Sequence, residues 1–83
     1  MRLHNERPAP GDTVVLTAIP PALLDGLPLE DQQAISEAVG KPVGLNAYDD
    51  DGRAELRFAD RQGTIHFVYV NPRFIRSVGG AKQ

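Results

Sequence analysis

The chain of 83 residues has no cysteine and no tryptophan. Without cysteine it has no disulfide, no thiolate nucleophile, no iron–sulfur cluster and no Cys-based zinc site. Its two histidines, His4 and His66, are too far apart in sequence to show a metal-ligand spacing. It also lacks an excess of either charge. Nine Lys plus Arg against eleven Asp plus Glu leave a net charge of −2. A dedicated nucleic-acid or anionic-membrane binder would normally carry a clustered positive surplus. No window approaches the roughly 20 apolar residues of a membrane-spanning helix. The first ten residues lack the apolar core of a signal peptide, so a cytoplasmic protein with no membrane partner is expected. This length suits one domain. Residues 1–10, polar with Pro8 and Pro10, are expected to form a disordered arm, and residues 79–83 a frayed tail. That leaves residues 11–78 to fold.

The pattern within that span is mainly β. Residues 13–19, Thr-Val-Val-Leu-Thr-Ala-Ile, are β-branched and apolar and predict a first strand, stopped by Pro20 and Pro21. An irregular connection follows, with Leu23, Leu24 and Leu27 expected to fold back onto the core. Pro28 suits the first position of a helix over residues 28–39, with Glu30 and Asp31 favourable in its first turn. Leu27, Ala34, Ile35, Ala38 and Val39 share one face at helical spacing, and Gly40 suits the left-handed position after the helix.

Beyond it, Val43, Leu45 and Ala47 alternate with Gly44, Asn46 and Tyr48, and Ala54, Leu56 and Phe58 alternate with Arg53, Glu55 and Arg57. Asp51-Gly52 predicts a two-residue hairpin loop. In that register Tyr48 faces Glu55 and Asn46 faces Arg57 on an outer side. Ala47 faces Leu56 and Leu45 faces Phe58 inside. A second turn at residues 60–63 leads into residues 64–70, apolar on both faces. Pairing across the turn favours Ile65, Phe67 and Tyr69 inside, whereas continuation at Val70 favours Val68 and Val70. A bulge near residues 67–69 reconciles the two. Asn71-Pro72-Arg73 turns the chain into a short closing strand.

Strand, long loop, three-strand meander, one-turn connector and short last strand resemble the SH3-like small β-barrels. The stretch Ala59-Asp60-Arg61-Gln62-Gly63 resembles the distal hairpin turn of that family. Residues 70–78, Val-Asn-Pro-Arg-Phe-Ile-Arg-Ser-Val, look like its Val-Pro-x-x-Tyr-Val-x-x-Leu ending with the proline displaced by one position. Gly11-Asp12-x-Val14-x-Leu16 and Gly40-Lys41-x-Val43 are similar to small bacterial and photosynthetic SH3-like accessory subunits. The resemblance implies a five-stranded barrel with one short α-helix inserted after the first strand, docking onto a larger protein. The Trp and paired tyrosines that grip Pro-rich peptides in this architecture are missing, so that ligand class is not expected.

The chemistry-bearing groups are few. Asp49-Asp50-Asp51-Gly52 superficially resembles a calcium loop. With Gly52 at the sixth position, however, Ala47 and Phe58 would occupy the two essential carboxylate positions, so it reads as a polar hairpin tip. His66 has Glu55 nearby as an orienting carboxylate but no nucleophile, and it reads as structural. The glycines do not follow a strand and open a helix as a phosphate loop does. Neither catalytic, cofactor nor metal residues are therefore assigned, and the chain reads as non-enzymatic. Its surplus is aromatic: Tyr48, Phe67, Tyr69 and Phe74 exceed what so small a barrel can bury, and they suit a protein-binding face. The alternative is a weak single-stranded nucleic-acid binder using Arg53, Arg57 and Arg61 with the tyrosines interleaved. Self-association through edge strands or outer aromatics, as a monomer in balance with a weak homo-oligomer, is a third reading.

Overall fold

A computed structural model describes residues 7–78; residues 1–6 of the expected arm and 79–83 of the expected tail lie outside the described residues. The strands are β1 (Thr13–Leu16), β2 (Pro42–Tyr48), β3 (Ala54–Ala59), β4 (Ile65–Val70) and β5 (Ile75–Ser77). They form one antiparallel sheet in the order β4-β3-β2-β1-β5. Helix α1 (Leu29–Ala38) lies between β1 and β2 in the chain, and a 3₁₀ turn (Pro72–Phe74) precedes β5. The fold is thus mainly β with one helix. β4 and β5 are its two edges and do not pair with each other, so the sheet is open.

β1 ends at Leu16, three residues before the expected stop at Ile19. The reason lies in the partner: the Thr17 N–H and hydroxyl both donate to the Phe74 carbonyl, at 2.8 and 3.0 Å, in step with the β1–β5 register, but Phe74 already belongs to the 3₁₀ turn and β5 offers no strand beyond Ile75. Pro28 stands one position earlier than expected. Its φ/ψ of −57°/151° is not helical, and its carbonyl accepts the N–H groups of Asp31 and Gln32 at 3.0 Å, so it caps the helix. At the other end Gly40 has φ +82°, as expected, and its N–H donates to the Leu16 carbonyl at 3.0 Å. That bond fastens the end of α1 to the end of β1. Ala34, Ile35 and Ala38 are the buried face of α1. They complete a core with Val14, Leu16, Val43, Leu45, Ala54, Leu56, Val68, Val70 and Ile75, and Leu23, Leu24 and Leu27 fold back onto it.

The two hairpins share one turn. In residues 49–53 the Gly52 N–H bonds the Asp49 carbonyl and the Asp49 N–H bonds the Arg53 carbonyl, both at 2.9 Å. In residues 60–64 the Gly63 N–H bonds the Asp60 carbonyl at 3.0 Å and the Asp60 N–H bonds the Thr64 carbonyl at 2.9 Å. Each leading aspartate also accepts two later N–H groups on Oδ1, those of Asp51 and Arg53 or of Gln62 and Thr64. Gly52 and Gly63 sit at φ +83° and +86°, where a side chain costs about 1–2 kcal/mol. Both are the three-residue hairpin loop with a glycine bulge, which at Asp51-Gly52 replaces the expected two-residue loop.

The longer loop changes the register. Tyr48 pairs with Ala54 and Ala47 with Glu55, so Tyr48 turns inward rather than facing Glu55 on the outside. A bulge between Leu45 and Ala47 then restores Leu45 to the inner face opposite Leu56, not Phe58. β3 and β4 pair without interruption from Ala54↔Val70 to Ala59↔Ile65, so the irregularity expected at residues 67–69 lies instead in β2. With Phe58 opposite His66, the inward set of β4 is His66, Val68 and Val70.

Candidate functional site

Alternation along β4 sends Ile65, Phe67 and Tyr69 to the outer face. They remain 43%, 51% and 43% exposed, whereas Val68 between them is only 8% exposed. On the neighbouring strand they lie opposite Ala59, Arg57 and Glu55. The Tyr69 hydroxyl donates to Glu55 Oε2 at 2.6 Å, and Asn46 Nδ2 donates to Oε1 at 2.7 Å. These hydrogen bonds, that of Tyr69 first, hold the Glu55 carboxyl below its ordinary pKa of 4.5. The same bond raises the Tyr69 phenol above 10.0. The Arg53 guanidinium lies 5.8 Å from the Tyr69 ring centre, and its Nε is 2.9 Å from Asp49 Oδ2. The outer face therefore presents an apolar stripe beside a polar strand whose one carboxylate is already engaged.

The backbone of the same strand has an open side. The bond from the Asp60 N–H to the Thr64 carbonyl fixes the phase of the β3–β4 ladder. Bonded pairs recur at every second residue, so Phe58↔His66, Leu56↔Val68 and Ala54↔Val70 exchange hydrogen bonds. The N–H and C=O groups of Ile65, Phe67 and Tyr69 consequently point away from β3, along the free edge. Among the described residues, no hydrogen bond from another segment satisfies them.

Beside this edge is a cleft of about 310 Å³, bounded by Leu23, Leu27, Asp31 and Ile35 on one side and by His66 to Tyr69 and Arg53 on the other. His66 lies at its inner wall, with its side chain 12% exposed. Its Nε2 is 2.9 Å from Asp60 Oδ2 and its Nδ1 is 3.4 Å from Asp31 Oδ1, and its ring stacks on Phe58 with centroids 5.5 Å apart. Its carboxylate neighbours are thus these two aspartates and not Glu55, which faces the other side of the sheet. The hydrogen bond with His66, and then the Thr64 N–H, hold the Asp60 carboxyl below its ordinary pKa of 3.8. With a carboxylate at each ring nitrogen, the imidazole is a bridge between α1 and the β3–β4 turn.

The structure brings together only part of the expected aromatic face. Phe67 and Tyr69 share the outer face of β4. Tyr48 points inward at the far end of β3: its hydroxyl donates to the Pro8 carbonyl at 2.6 Å and the Arg7 guanidinium lies 3.9 Å above its ring. Burial is the main cause of its raised pKa. Phe74, in the 3₁₀ turn, packs against the core with Arg73 5.5 Å from its ring centre. Of the three arginines, Arg53 and Arg57 border Phe67 and Tyr69, whereas Arg61 pairs across the turn with Glu37 on α1 at 3.3 Å. Ile65 belongs to the stripe and was missed; its alternation with Phe67 and Tyr69 was the available signal.

A larger cleft of about 500 Å³ between α1 and the β2–β3 side mixes Lys41, Arg57 and Arg61 with Glu37 and Asp60. Arg61 and Asp60 in it are already partnered. Among the described residues no helix is long and apolar enough to cross a membrane, and no group of three or more His, Cys, Asp or Glu converges to hold a metal ion. The chain matches no protein-family model, no curated protein and no solved structure.

Proposed function

We propose that the protein is a non-catalytic interaction module of the cytoplasm, with an SH3-like chain order, that binds another protein along β4. The observation that carries this reading is the coincidence of two features on one strand: an exposed apolar stripe and an unpaired backbone edge. Each is a recognition element in its own right, since added strands gain affinity from main-chain bonds and specificity from alternate side chains. The SH3-like part is supported by the strand order and by the 3₁₀ turn that leads into a last strand paired with β1. The non-catalytic part is supported by His66, whose two ring nitrogens each face a carboxylate.

The test is recovery of partners from source-cell lysate with tagged wild type, Phe67→Ala with Tyr69→Ala, and Phe74→Ala. The expected result is a partner held by wild type and by Phe74→Ala and lost by the double variant. The same background proteins in all three samples would overturn the reading. One observation favours the nucleic-acid alternative: Arg57 is exposed opposite Phe67 and, among the described residues, has no ion-pair partner. That reading requires short oligonucleotides to bind at low salt and to dissociate steeply as salt is added.

A further inference from the structure

We propose that the occupant of the β4 edge is the β4 strand of a second copy of this chain, added antiparallel about a twofold axis through Phe67. The inference rests on the interaction reading above and names its partner. The open main-chain groups belong to Ile65, Phe67 and Tyr69, a set that is symmetric about its middle member. An antiparallel copy therefore sets Phe67 against Phe67 and Ile65 against Tyr69 in both directions. Every open N–H on one strand then meets an open C=O on the other. The two five-stranded sheets become one continuous sheet.

The side chains agree with that register. β4 reads Ile-His-Phe-Val-Tyr-Val, with no Lys, Arg, Asp, Glu, Pro or Gly. Natural edge strands that must stay single are commonly blunted with a charge, a proline or a bulge, and β4 has none of these. A β-rich six-residue strand without such features pairs readily. On the outer face the rows across the axis become Tyr69 beside Ile65 and Phe67 beside Phe67, so the stripe of one copy continues into the stripe of the other. No like charges meet at the seam: Glu55 is held by Tyr69 and Asn46. The two Arg57 side chains flank the paired phenylalanines about 14 Å apart, three strand spacings across the sheet. At their observed exposure, side chains of this size still present about 100 Å² each, so the new seam covers at most about 300 Å² of them per copy. A standard interface buries about 800 Å² per partner, so association belongs to the weak, concentration-dependent class.

The absence of cysteine makes the register directly readable, because an introduced thiol has no competitor. Phe67→Cys places two thiols on the axis, with Cα atoms about 5.5 Å apart, inside the range a disulfide spans. Ile65→Cys places its thiols about 14 Å apart, four residues out of register, and forms a bridge only when mixed with Tyr69→Cys. Under mild oxidation the expected result is a covalent Phe67→Cys dimer, with Ile65→Cys alone at least tenfold slower. Sedimentation of the full chain, run up to about 1 mM, should show dimer growing with concentration. In the Phe67→Lys variant, whose retained fold circular dichroism should verify, association should fall at least tenfold.

Equal self-crosslinking of Phe67→Cys and Ile65→Cys would overturn the register. A wild-type monomer at every concentration would overturn the second copy as occupant. If that monomer still loses a different protein on Phe67→Ala with Tyr69→Ala, the interaction reading survives its refinement. If it captures nothing, both fall.

Discussion

The sheet has two edges built on opposite plans. β5 is three residues long, carries Arg76 at its centre and begins with an N–H that is already bonded to the Pro72 carbonyl. Its pairing with β1 through Val15↔Arg76 leaves little backbone for another strand to use. β4 has six residues, no charged side chain, and an uninterrupted ladder that turns Ile65, Phe67 and Tyr69 outward. One edge is short, capped and charged; the other is long, open and apolar. Within a single sheet, the protected edge acts as an internal control for the unprotected one. Protection was available to this fold, and β4 lacks it.

The largest expected effect separates the two faces of β4 itself. Val68→Asp places a carboxylate in the core and should cost about 3–5 kcal/mol, enough to unfold a domain of this size. Phe67→Lys, one residue away on the outer face, should cost about 1 kcal/mol, the like charge of Arg57 opposite it included. Urea unfolding followed by circular dichroism measures both, and comparable losses would refute the alternation. Next comes the turn that delivers the chain into β4. Gly63→Ala at φ +86° should cost about 1–2 kcal/mol, as should Gly52→Ala at φ +83° in the twin turn.

Acid sensitivity should come third. Asp49, Glu55 and Asp60 all have lowered pKa values, through the Arg53 N–H, the Tyr69 hydroxyl and the His66 ring respectively. Their contributions are therefore complete above the ordinary carboxylate values of 3.8 and 4.5 and are lost as pH falls through the lower folded values. Stability from pH 7 down to about pH 2 should fall most steeply at the acid end, and Asp60→Asn should flatten the slope. Tyr69 acts in the other direction. Its raised pKa gives stability that is complete below 10.0 and is lost as pH rises beyond it. The smallest effect is expected at the protected edge: Arg76→Ala should change stability by less than about 0.5 kcal/mol and association not at all.

The sequence made some levels of this structure more legible than others. Strong punctuation located the elements: Pro20 and Pro21 after β1, Gly40 after α1, and Asn71-Pro72 before the last strand each mark a boundary within a few residues. Pairing was less legible because Asp51-Gly52 is compatible with two kinds of loop. The deciding residue is the aspartate three positions before each glycine, Asp49 or Asp60, whose Oδ1 gathers two N–H groups. One extra loop residue shifts the pairing of β2 on β3 by one as far as the bulge, which is how Tyr48 came to be expected outside and lies inside. The bulge beside Asn46 then hides the shift, because Leu45 returns to the core either way. For the candidate site, Phe67 and Tyr69 were readable as surplus aromatics. The open edge was not, since composition does not show which strand ends a sheet.

The most direct test of the open edge is residue-by-residue amide hydrogen exchange along β4 in dilute solution. The bonded amides of His66, Val68 and Val70 should exchange slowly and those of Ile65, Phe67 and Tyr69 fast, alternating along six consecutive residues. At millimolar concentration the fast set should gain protection while the slow set stays unchanged. Uniform protection of all six in the dilute monomer would contradict the account, because it would mean that the edge is already covered.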